Sequence, residues 1–361
     1  MPKKNNGLVM VCLLLCVCFG LAGYTIAVTP VYDQRDVAVI NRLIKENDLD
    51  RPKNAPNQWD DIHWTDSKPK RIEWMWLHTE QPIKVADLSE LSYLQELIWS
   101  SNGIDTLILP GNVQQVYCSA NQLKQIDCSK ATNLRILQLS HNQLTKLDVS
   151  GLLWLENLEV EGNQLTELTI QNLPQLESLN CMRNQLIELN LSGLPALHSL
   201  LCNGNQLEQL NLDRIPDLKY LDCSENRLRG LDTTQLINLT TLECGYNQLE
   251  QLTVQNLTRL EKLNCSNNPL EQLRLVNLPV LRSLNCGERG RLSLAGSMQL
   301  TKFDYATRTA EVTVHPPEGK YLSSCQGLPK DAQINDNTIR FSLTYQTVSP
   351  EPFYLSEDLR P

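Results

Sequence analysis

Leucine and other apolar residues recur along most of this chain with a period of 21 residues. The repeated pattern is L-x-x-L-x-(C/L/V)-x-x-N-x-L-x-x-L-x-L-x-x-L, in which x is mostly polar. The second and third apolar positions lie two residues apart, so on a β-strand both side chains point to one face. The pattern therefore predicts one short strand in each copy. A complete copy consists of Leu176, Leu179, Cys181, Asn184, Leu186, Leu189, Leu191 and Leu194.

The period is clearest at a column of asparagines. Asn102 and Asn121 are 19 residues apart, and each later member follows at a step of 21. An amide side chain at the turn that leaves each strand can satisfy backbone groups that the bend leaves unpaired. We therefore interpret the column as a structural asparagine ladder without a ligand role, made of Asn102, Asn121, Asn142, Asn163, Asn184, Asn205, Asn226, Asn247 and Asn268.

Stacked copies can bury the leucine stripe that a single 21-residue unit leaves exposed. Nine regular copies and a degenerate one predict a repeat solenoid over residues 94–288, with a parallel sheet along one wall. It is expected to end where Arg289 replaces the asparagine. The pattern resembles the leucine-rich repeat family, and its 21-residue period is similar to that of the bacterial IRREKO-type class. The resemblance implies a horseshoe whose short parallel strands lie on the concave face.

The two ends of the chain depart from the period and are predicted to cap the solenoid. In residues 29–93, Asp33 is expected to N-cap a helix that runs to about Asn47, which gives an N-terminal helical cap. In residues 289–361, strands are predicted at 311–315 and 338–347, and residues 327–337 are rich in turn formers. We interpret this second end as a C-terminal β cap or module.

Four of the six tryptophans, Trp59, Trp64, Trp74 and Trp76, lie in the predicted N-terminal cap. The alternation of Ile72, Trp74 and Trp76 predicts a strand that pairs with the first repeat. A terminal repeat needs its exposed core covered, so packing is the default interpretation of these tryptophans. Binding of carbohydrate or of an aromatic ligand is the alternative.

Six of the twelve cysteines occupy the same core position in consecutive copies. Free cysteine packs well as a small buried hydrophobe, which favours a row of buried thiols. Neighbouring strands are about 4.8 Å apart, so disulfides between adjacent copies stay possible. A metal site is disfavoured, because the column runs along the solenoid axis and its ligands do not converge. This cysteine ladder comprises Cys181, Cys202, Cys223, Cys244, Cys265 and Cys286.

The first 28 residues predict a targeting element. Lys3 and Lys4 precede an uncharged, mostly apolar run of 22 residues at 7–28. Such a run is long enough to span a bilayer, and the basic flank favours an N-terminus that stays in the cytoplasm. The segment is therefore either a signal anchor or a cleaved signal peptide. Everything after it is expected to be extracytoplasmic, either membrane-anchored by residues 7–28 or secreted.

Composition argues against two large functional classes. The net charge is −9, from 41 acidic and 32 basic residues, so nucleic acid is not an expected partner. No G-x-S-x-G, P-loop, G-x-G-x-x-G or H-E-x-x-H motif occurs, and the five histidines are scattered. Secreted bacterial leucine-rich repeat ubiquitin ligases carry a large helical domain after the repeats, which about 70 β-prone residues cannot supply. We expect no enzyme, no metal and no cofactor.

The polar positions of the predicted sheet are the candidate binding site. Aromatic residues there, mixed with acidic ones, are typical of interaction surfaces, which favours a protein or glycan partner. A merely solvated acidic stretch is the alternative for the site, and a structural envelope protein or spacer is the alternative for the whole chain. The candidate residues, on two adjacent copies, are Tyr220, Asp222, Glu225, Glu243 and Tyr246.

Overall fold

The computed structural model describes residues 30–76 and 82–287 in full, together with the backbone of the strands that lie between residues 291 and 355. The predicted targeting segment, residues 1–28, lies outside the described residues. So do His315 and residues 343–347, the end of a predicted strand.

The described chain begins with one amphipathic helix, α1 (Gln34–Glu46). The Asp33 carboxylate accepts a hydrogen bond from the Arg35 N–H, as expected of an N-cap, and Asn47 is the C-cap. Apolar residues on one face of the helix, such as Ile40 and Leu43, are buried. A short 3₁₀ turn (Pro56–Gln58) follows before the first strand.

Short strands then recur to the end of the described repeats. In chain order they are β1 (Ile62–Trp64), β2 (Ile72–Trp76), β3 (Val85–Asp87), β4 (Glu96–Ile98), β5 (Thr106–Ile108), β6 (Gln115–Tyr117), β7 (Ile136–Gln138), β8 (Lys146–Asp148), β9 (Asn157–Glu159), β10 (Glu167–Thr169), β11 (Ser178–Asn180), β12 (Ser199–Leu201), β13 (Tyr220–Asp222), β14 (Thr241–Glu243), β15 (Gln251–Gln255), β16 (Lys262–Asn264), β17 (Gln272–Val276) and β18 (Ser283–Asn285). Beyond them lie β19 (Arg291–Ser293), β20 (Met298–Asp304), β21 (Thr309–Val314), β22 (Cys325–Gln326), β23 (Gln333–Asn335), β24 (Thr338–Ser342) and β25 (Tyr354–Leu355).

Thirteen of these strands form one long sheet, which we call the main sheet. Its order is β1-β2-β4-β6-β7-β9-β11-β12-β13-β14-β16-β18-β19. All neighbours from β2 to β18 are parallel, and β1 and β19 are antiparallel at the two edges. Within the regular repeats, partners differ by one period, as in Leu179, Leu200 and Leu221, so every copy has the same orientation. The chain is thus a parallel-strand solenoid, as the periodicity predicts.

Small two-stranded sheets lie outside the main sheet: β3 with β5, β8 with β10, and β15 with β17. Between the two layers the leucine positions form one continuous buried core that also includes Trp59 and Trp99. After the repeats, β20, β21, β24 and β23 make an antiparallel sheet. The interpretation of residues 29–93 and 289–361 as caps stays a prediction.

The strand β2 differs from its predicted alternation. Ile72 and Met75 are fully buried, whereas Trp74 is half-buried and Trp76 is 61% exposed. The pairing of β1 with β2 jumps from Trp74 to Ile72, which is a β-bulge that skips Glu73. Because a bulge inserts one extra residue, it moves the following side chains to the opposite face. Trp76 therefore faces solvent, so the prediction that it packs is wrong.

Two C-terminal details also differ from the sequence analysis. Strand β21 begins at Thr309, two residues before the predicted start, and the stretch predicted to be rich in turns contains β23. Strand β23 pairs antiparallel with β24, which begins three residues after β23 ends, so the partner is the adjacent segment of the chain.

The asparagine ladder ties consecutive turns of the solenoid together. Asn205 is buried, and its Nδ2 donates to the carbonyls of Cys202 in its own repeat and of Cys181 in the preceding one, both at 3.0 Å. Its Oδ1 accepts from the Leu186 N–H at 3.0 Å. The same three contacts recur at Asn142, Asn163, Asn184, Asn226, Asn247 and Asn268. Each amide thus pairs three backbone groups in two adjacent turns.

The cysteine ladder lies beside these amides, with its side chains in the core. Its six members are all buried. Cys181, Cys202, Cys223, Cys244 and Cys265 are free thiols, as are Cys118 and Cys128 outside the ladder. Burial in an apolar core disfavours the thiolate and raises the pKa of Cys118, Cys128 and Cys181 to about 12.

We expect Asn205→Ala to lower the free energy of unfolding by about 2–4 kcal/mol, because it leaves the Leu186 N–H buried without its partner and removes one of the two hydrogen bonds that the Cys181 and Cys202 carbonyls each accept. Urea unfolding followed by circular dichroism measures the change. Asn211→Ala is the matched control: Asn211 is exposed and accepts only from the Asp213 N–H, so it should cost less than about 1 kcal/mol. Equal losses in the two variants would contradict the bridging role.

The raised thiol pKa values predict that stability falls above pH 9. An unfolded thiol loses its proton near pH 8.5–9, whereas buried Cys181 keeps its proton up to about pH 12. The protonated thiol therefore contributes fully below pH 8.5, and that contribution is lost as the pH rises toward 12. The stability advantage of the unsubstituted protein over Cys181→Ala should shrink by about 1.4 kcal/mol between pH 8 and pH 10.

Val160→Ala is the control for this titration, because Val160 is buried at the same position of an earlier repeat and does not ionise. Its stability difference from the unsubstituted protein should be independent of pH. A difference for Cys181→Ala that is equally flat would show that the thiol is not held protonated.

Candidate binding face

The solvent-facing side of the main sheet, which we call the concave face, is made of side chains that flank each buried strand leucine. In β13, Leu221 is buried while Tyr220 and Asp222 point away from the core. Registered pairing carries the same alternation from strand to strand, so outward residues form two columns. The first includes Trp74, Glu96, Gln115, Ile136, Asn157, Ser178, Ser199, Tyr220, Thr241, Lys262 and Ser283, and the second includes Trp76, Ile98, Tyr117, Gln138, Glu159, Asn180, Leu201, Asp222, Glu243, Asn264 and Asn285.

The five candidate residues are brought together, and we call them the tyrosine patch. Asp222 of β13 is in register with Glu243 of the neighbouring β14. Glu225 and Tyr246 follow these strands at equivalent turn positions, one period apart. Tyr246 is 59% exposed, and Tyr220 is also exposed. The patch is therefore one contiguous surface on two adjacent repeats.

The turn position of Tyr246 is unfavourable for most side chains. This position comes directly before the ladder asparagine in each repeat. The backbone φ angle there is 53° at Glu225 and 53° at Tyr246. Two other copies place glycine there, Gly162 with φ 64° and Gly204 with φ 67°, and the remaining copies hold Ser101, Ala120, His141, Arg183 and Asn267 in the same left-handed region. A left-handed conformation costs a residue with a Cβ about 1–2 kcal/mol, and a bulky residue is uncommon in it. Tyr246 thus keeps an exposed ring at a position where glycine would be less strained.

The electrostatics of the patch centre on Asp222. Its pKa is raised, first because the carboxyl group is partly desolvated and further because Glu243 and Glu225 repel its charge. Hydrogen bonds from the Ser224 hydroxyl and N–H oppose the rise. Burial and the adjacent carboxylates also raise the pKa of Tyr220, so its hydroxyl stays a hydrogen-bond donor at neutral pH.

One carboxylate of the patch is paired. Lys262 Nζ lies 2.7 Å from Glu243 Oε1, and this contact raises the pKa of the lysine. The patch contains three carboxylates, but Glu243 is held by the next repeat. Sequence spacing could have found the pair, since Lys262 is in the outward column beside Thr241. Asp222 and Glu225 supply the remaining negative charge.

No other chemistry converges on this face in the part of the chain that the structure describes. Residues 30–76 and 82–287 contain no group of three or more His, Cys, Asp or Glu side chains placed to hold a metal ion.

Within the same residues, no helix is long and apolar enough to cross a membrane. The predicted membrane segment, residues 7–28, lies outside that search.

Sequence reasoning missed the second feature of the concave face, at its N-terminal end. Trp76, Ile98 and Tyr117 are neighbours in one outward column, and Trp74 lies beside them with its ring stacked on that of His63 at 4.9 Å. The signal that could have revealed them is absent from the sequence, because only the bulge in β2 turns both tryptophans outward.

Three solved structures are similar to part of this chain. The functional domain of InlJ from Listeria monocytogenes, which includes a cysteine ladder, is 29% identical over 58% of this chain and 55% of that one, with a TM-score of 0.44. A leucine-rich repeat protein of Leptospira interrogans is 25% identical over 58% and 70%, with a TM-score of 0.47. The plant peptide hormone receptor RGFR1 in complex with RGF2 is 23% identical over 55% and 37%, with a TM-score of 0.44.

These likenesses are partial, since the chain spans about half the length of the InlJ domain. No curated protein matches the sequence. The Leucine Rich Repeat family model matches residues 133–153, which is one period. The matched unit recurs at the same spacing in the strands and asparagines on both sides of it. The chain is thus a solenoid of leucine-rich repeats with a 21-residue period, one copy of which the Leucine Rich Repeat family model matches.

Proposed function

We propose that this protein is a non-enzymatic binding scaffold that holds a protein partner on its concave face. Solenoids bind through the extended surface that stacking creates. The observation that carries the proposal is the pair of exposed rings, Tyr220 and Tyr246, which lie beside carboxylates on two adjacent repeats.

The chemistry of the tyrosine patch favours a basic protein surface. Tyrosine offers a large contact area at a low cost in side-chain entropy and is enriched among residues that dominate binding energy. Asp222 and Glu225 add two carboxylates beside the rings, and burial, followed by repulsion from Glu243 and Glu225, already raises the pKa of Asp222. A cationic partner would relieve that repulsion and be steered to the patch. A neutral glycan would gain affinity by packing on the tyrosine rings but would gain none from the carboxylates.

We also propose that the repeats function outside the cytoplasm, anchored by residues 7–28 or released by cleavage. Lys3 and Lys4 before a 22-residue apolar run support this orientation. Buried thiols that are free, such as Cys181 and Cys202, are compatible with an oxidising compartment because oxidants reach them poorly.

The binding proposal is tested by capture of partners with Tyr220→Ala combined with Tyr246→Gly. Glycine suits the φ of 53°, so the second change removes the ring without adding strain. We expect the affinity for the captured partner to fall at least thirtyfold, since two central aromatic anchors are each worth about 1–2 kcal/mol or more. The thermal midpoint should stay unchanged or rise.

Trp154→Ala combined with Ile187→Ala is the matched control. Both side chains are as exposed as Tyr246, at 61% and 59%, but lie outside the strands of the main sheet. This control should bind as the unsubstituted protein does. The same partners at the same affinity in the patch variant would move the site elsewhere, and no captured partner at all would favour a structural spacer.

The location is tested by fusing reporters to residue 361. A reporter that is active only outside the cytoplasm should be active in the fusion, and one that requires the cytoplasm should be silent, because the basic flank retains the N-terminus. Changing Lys3 and Lys4 to glutamate should weaken this bias. Activity of the cytoplasmic reporter in the unsubstituted fusion would contradict the proposed location.

A further inference from the structure

A cavity of about 560 Å³ lies at the N-terminal end of the concave face. Its walls are the segment between α1 and β1, which contributes Asp50, Arg51, Asp60 and Asp61, and the end of β2, which contributes Trp76. The cavity is separate from the tyrosine patch, because seven strand steps along the main sheet lie between β2 and β13. At about 4.8 Å per step the separation is roughly 34 Å.

The walls of this cavity are held in place by contacts behind them. The Trp76 N–H donates to the Asp61 carbonyl at 2.8 Å, which fixes the two sides relative to each other. Trp59 is buried beneath the segment, and its indole N–H donates to the Pro52 carbonyl at 2.9 Å. Asn41 and Asn54 exchange two further hydrogen bonds between the helix and the segment. The cavity is therefore preformed rather than shaped by a loose loop.

The residues lining the cavity carry more negative than positive charge. Both terminal nitrogens of Arg51 contact the Asp61 carboxylate, so this guanidinium is already neutralised. Asp50 and Asp60 are exposed, and no residue within 30–76 or 82–287 donates a hydrogen bond to either carboxylate. Three carboxylates against one guanidinium leave a net charge of −2 on the walls. An anion would find no open cation here.

The indole of Trp76, which lines one side of the cavity, adds a preference for a ligand that can stack on an aromatic ring. Trp76 is 61% exposed, although its indole is large and mostly apolar. The face of a tryptophan ring attracts a cation through its quadrupole, more strongly than the other aromatic side chains do. Open carboxylates beside an exposed indole complement a group that is cationic and partly apolar.

We infer that this cavity binds a guanidinium or alkylammonium group, presented as an arginine or lysine side chain of a basic peptide. The cation stacks on Trp76 while Asp50 and Asp60 accept its hydrogen bonds. Arginine suits the site best, since its planar guanidinium both stacks on aromatic faces and donates in two directions. The inference rests on the cavity itself and does not depend on the tyrosine patch.

The test is a nuclear magnetic resonance titration of the full chain with N-acetyl-arginine-methylamide, followed at the indole N–H resonances. Each of the six tryptophans has one indole N–H, and the signal lost in Trp76→Phe is assigned to Trp76. We expect this signal to shift in a saturable way, with a dissociation constant on the order of 1 mM, and more weakly at 0.5 M salt. N-acetyl-citrulline-methylamide, which has the same shape without the charge, should leave it in place.

Variants separate the cation site from general surface binding. Trp76→Ala, and Asp50→Asn combined with Asp60→Asn, should each weaken binding of the arginine probe about tenfold or more. Trp154→Ala removes an equally exposed tryptophan, and Asp213→Asn an exposed carboxylate outside the cavity, so neither should change it. Unchanged thermal midpoints show that the variants fold.

Two results would overturn the inference. The first is an equal response of the Trp76 signal to the arginine and citrulline probes. The second is a response to a neutral tetrasaccharide with none to the arginine probe, which would make the cavity a sugar site. Neither result bears on the partner capture by the tyrosine patch, so the two proposals can fail separately.

Discussion

The contact on which the rest of the structure depends is the asparagine side chain that joins two consecutive turns. One amide, such as that of Asn205, donates to carbonyls in its own and the preceding repeat and accepts from a third backbone group. These groups are buried at the bend after each strand, where water cannot satisfy them and where an unpaired group is costly. Only a side chain with both a donor and an acceptor on a short stem meets all three.

Because these amides fix the bend, the positions around it are free to vary, and the binding surface is built there. Each turn places one residue in the left-handed region just before the asparagine. Glycine occupies this position at Gly204, whereas Glu225 and Tyr246 occupy it in the tyrosine patch. The ladder therefore stabilises a scaffold strong enough to carry strained, exposed side chains, which links the repeat energetics directly to the proposed binding site.

The two proposed sites share one sheet but differ in how they arise. The tyrosine patch depends on the regular register, since Asp222 and Glu243 are neighbours only because their strands are one period apart. The cation site depends on a break in regularity, the bulge in β2 that turns Trp76 outward toward Asp50 and Asp60. Both leave open carboxylates beside exposed aromatic rings, so a basic partner could contact each of them along the same face.

The sequence by itself determined the solenoid, the burial of the leucine positions and the grouping of the tyrosine patch. A fixed period forces equivalent residues into equivalent environments, and alternation within three-residue strands decides which side chains face solvent. Only the tertiary structure decided the left-handed conformation of Tyr246 and the exposure of Trp76. These depend on contacts between repeats or on a bulge, and neither changes the local pattern from which the sequence is interpreted.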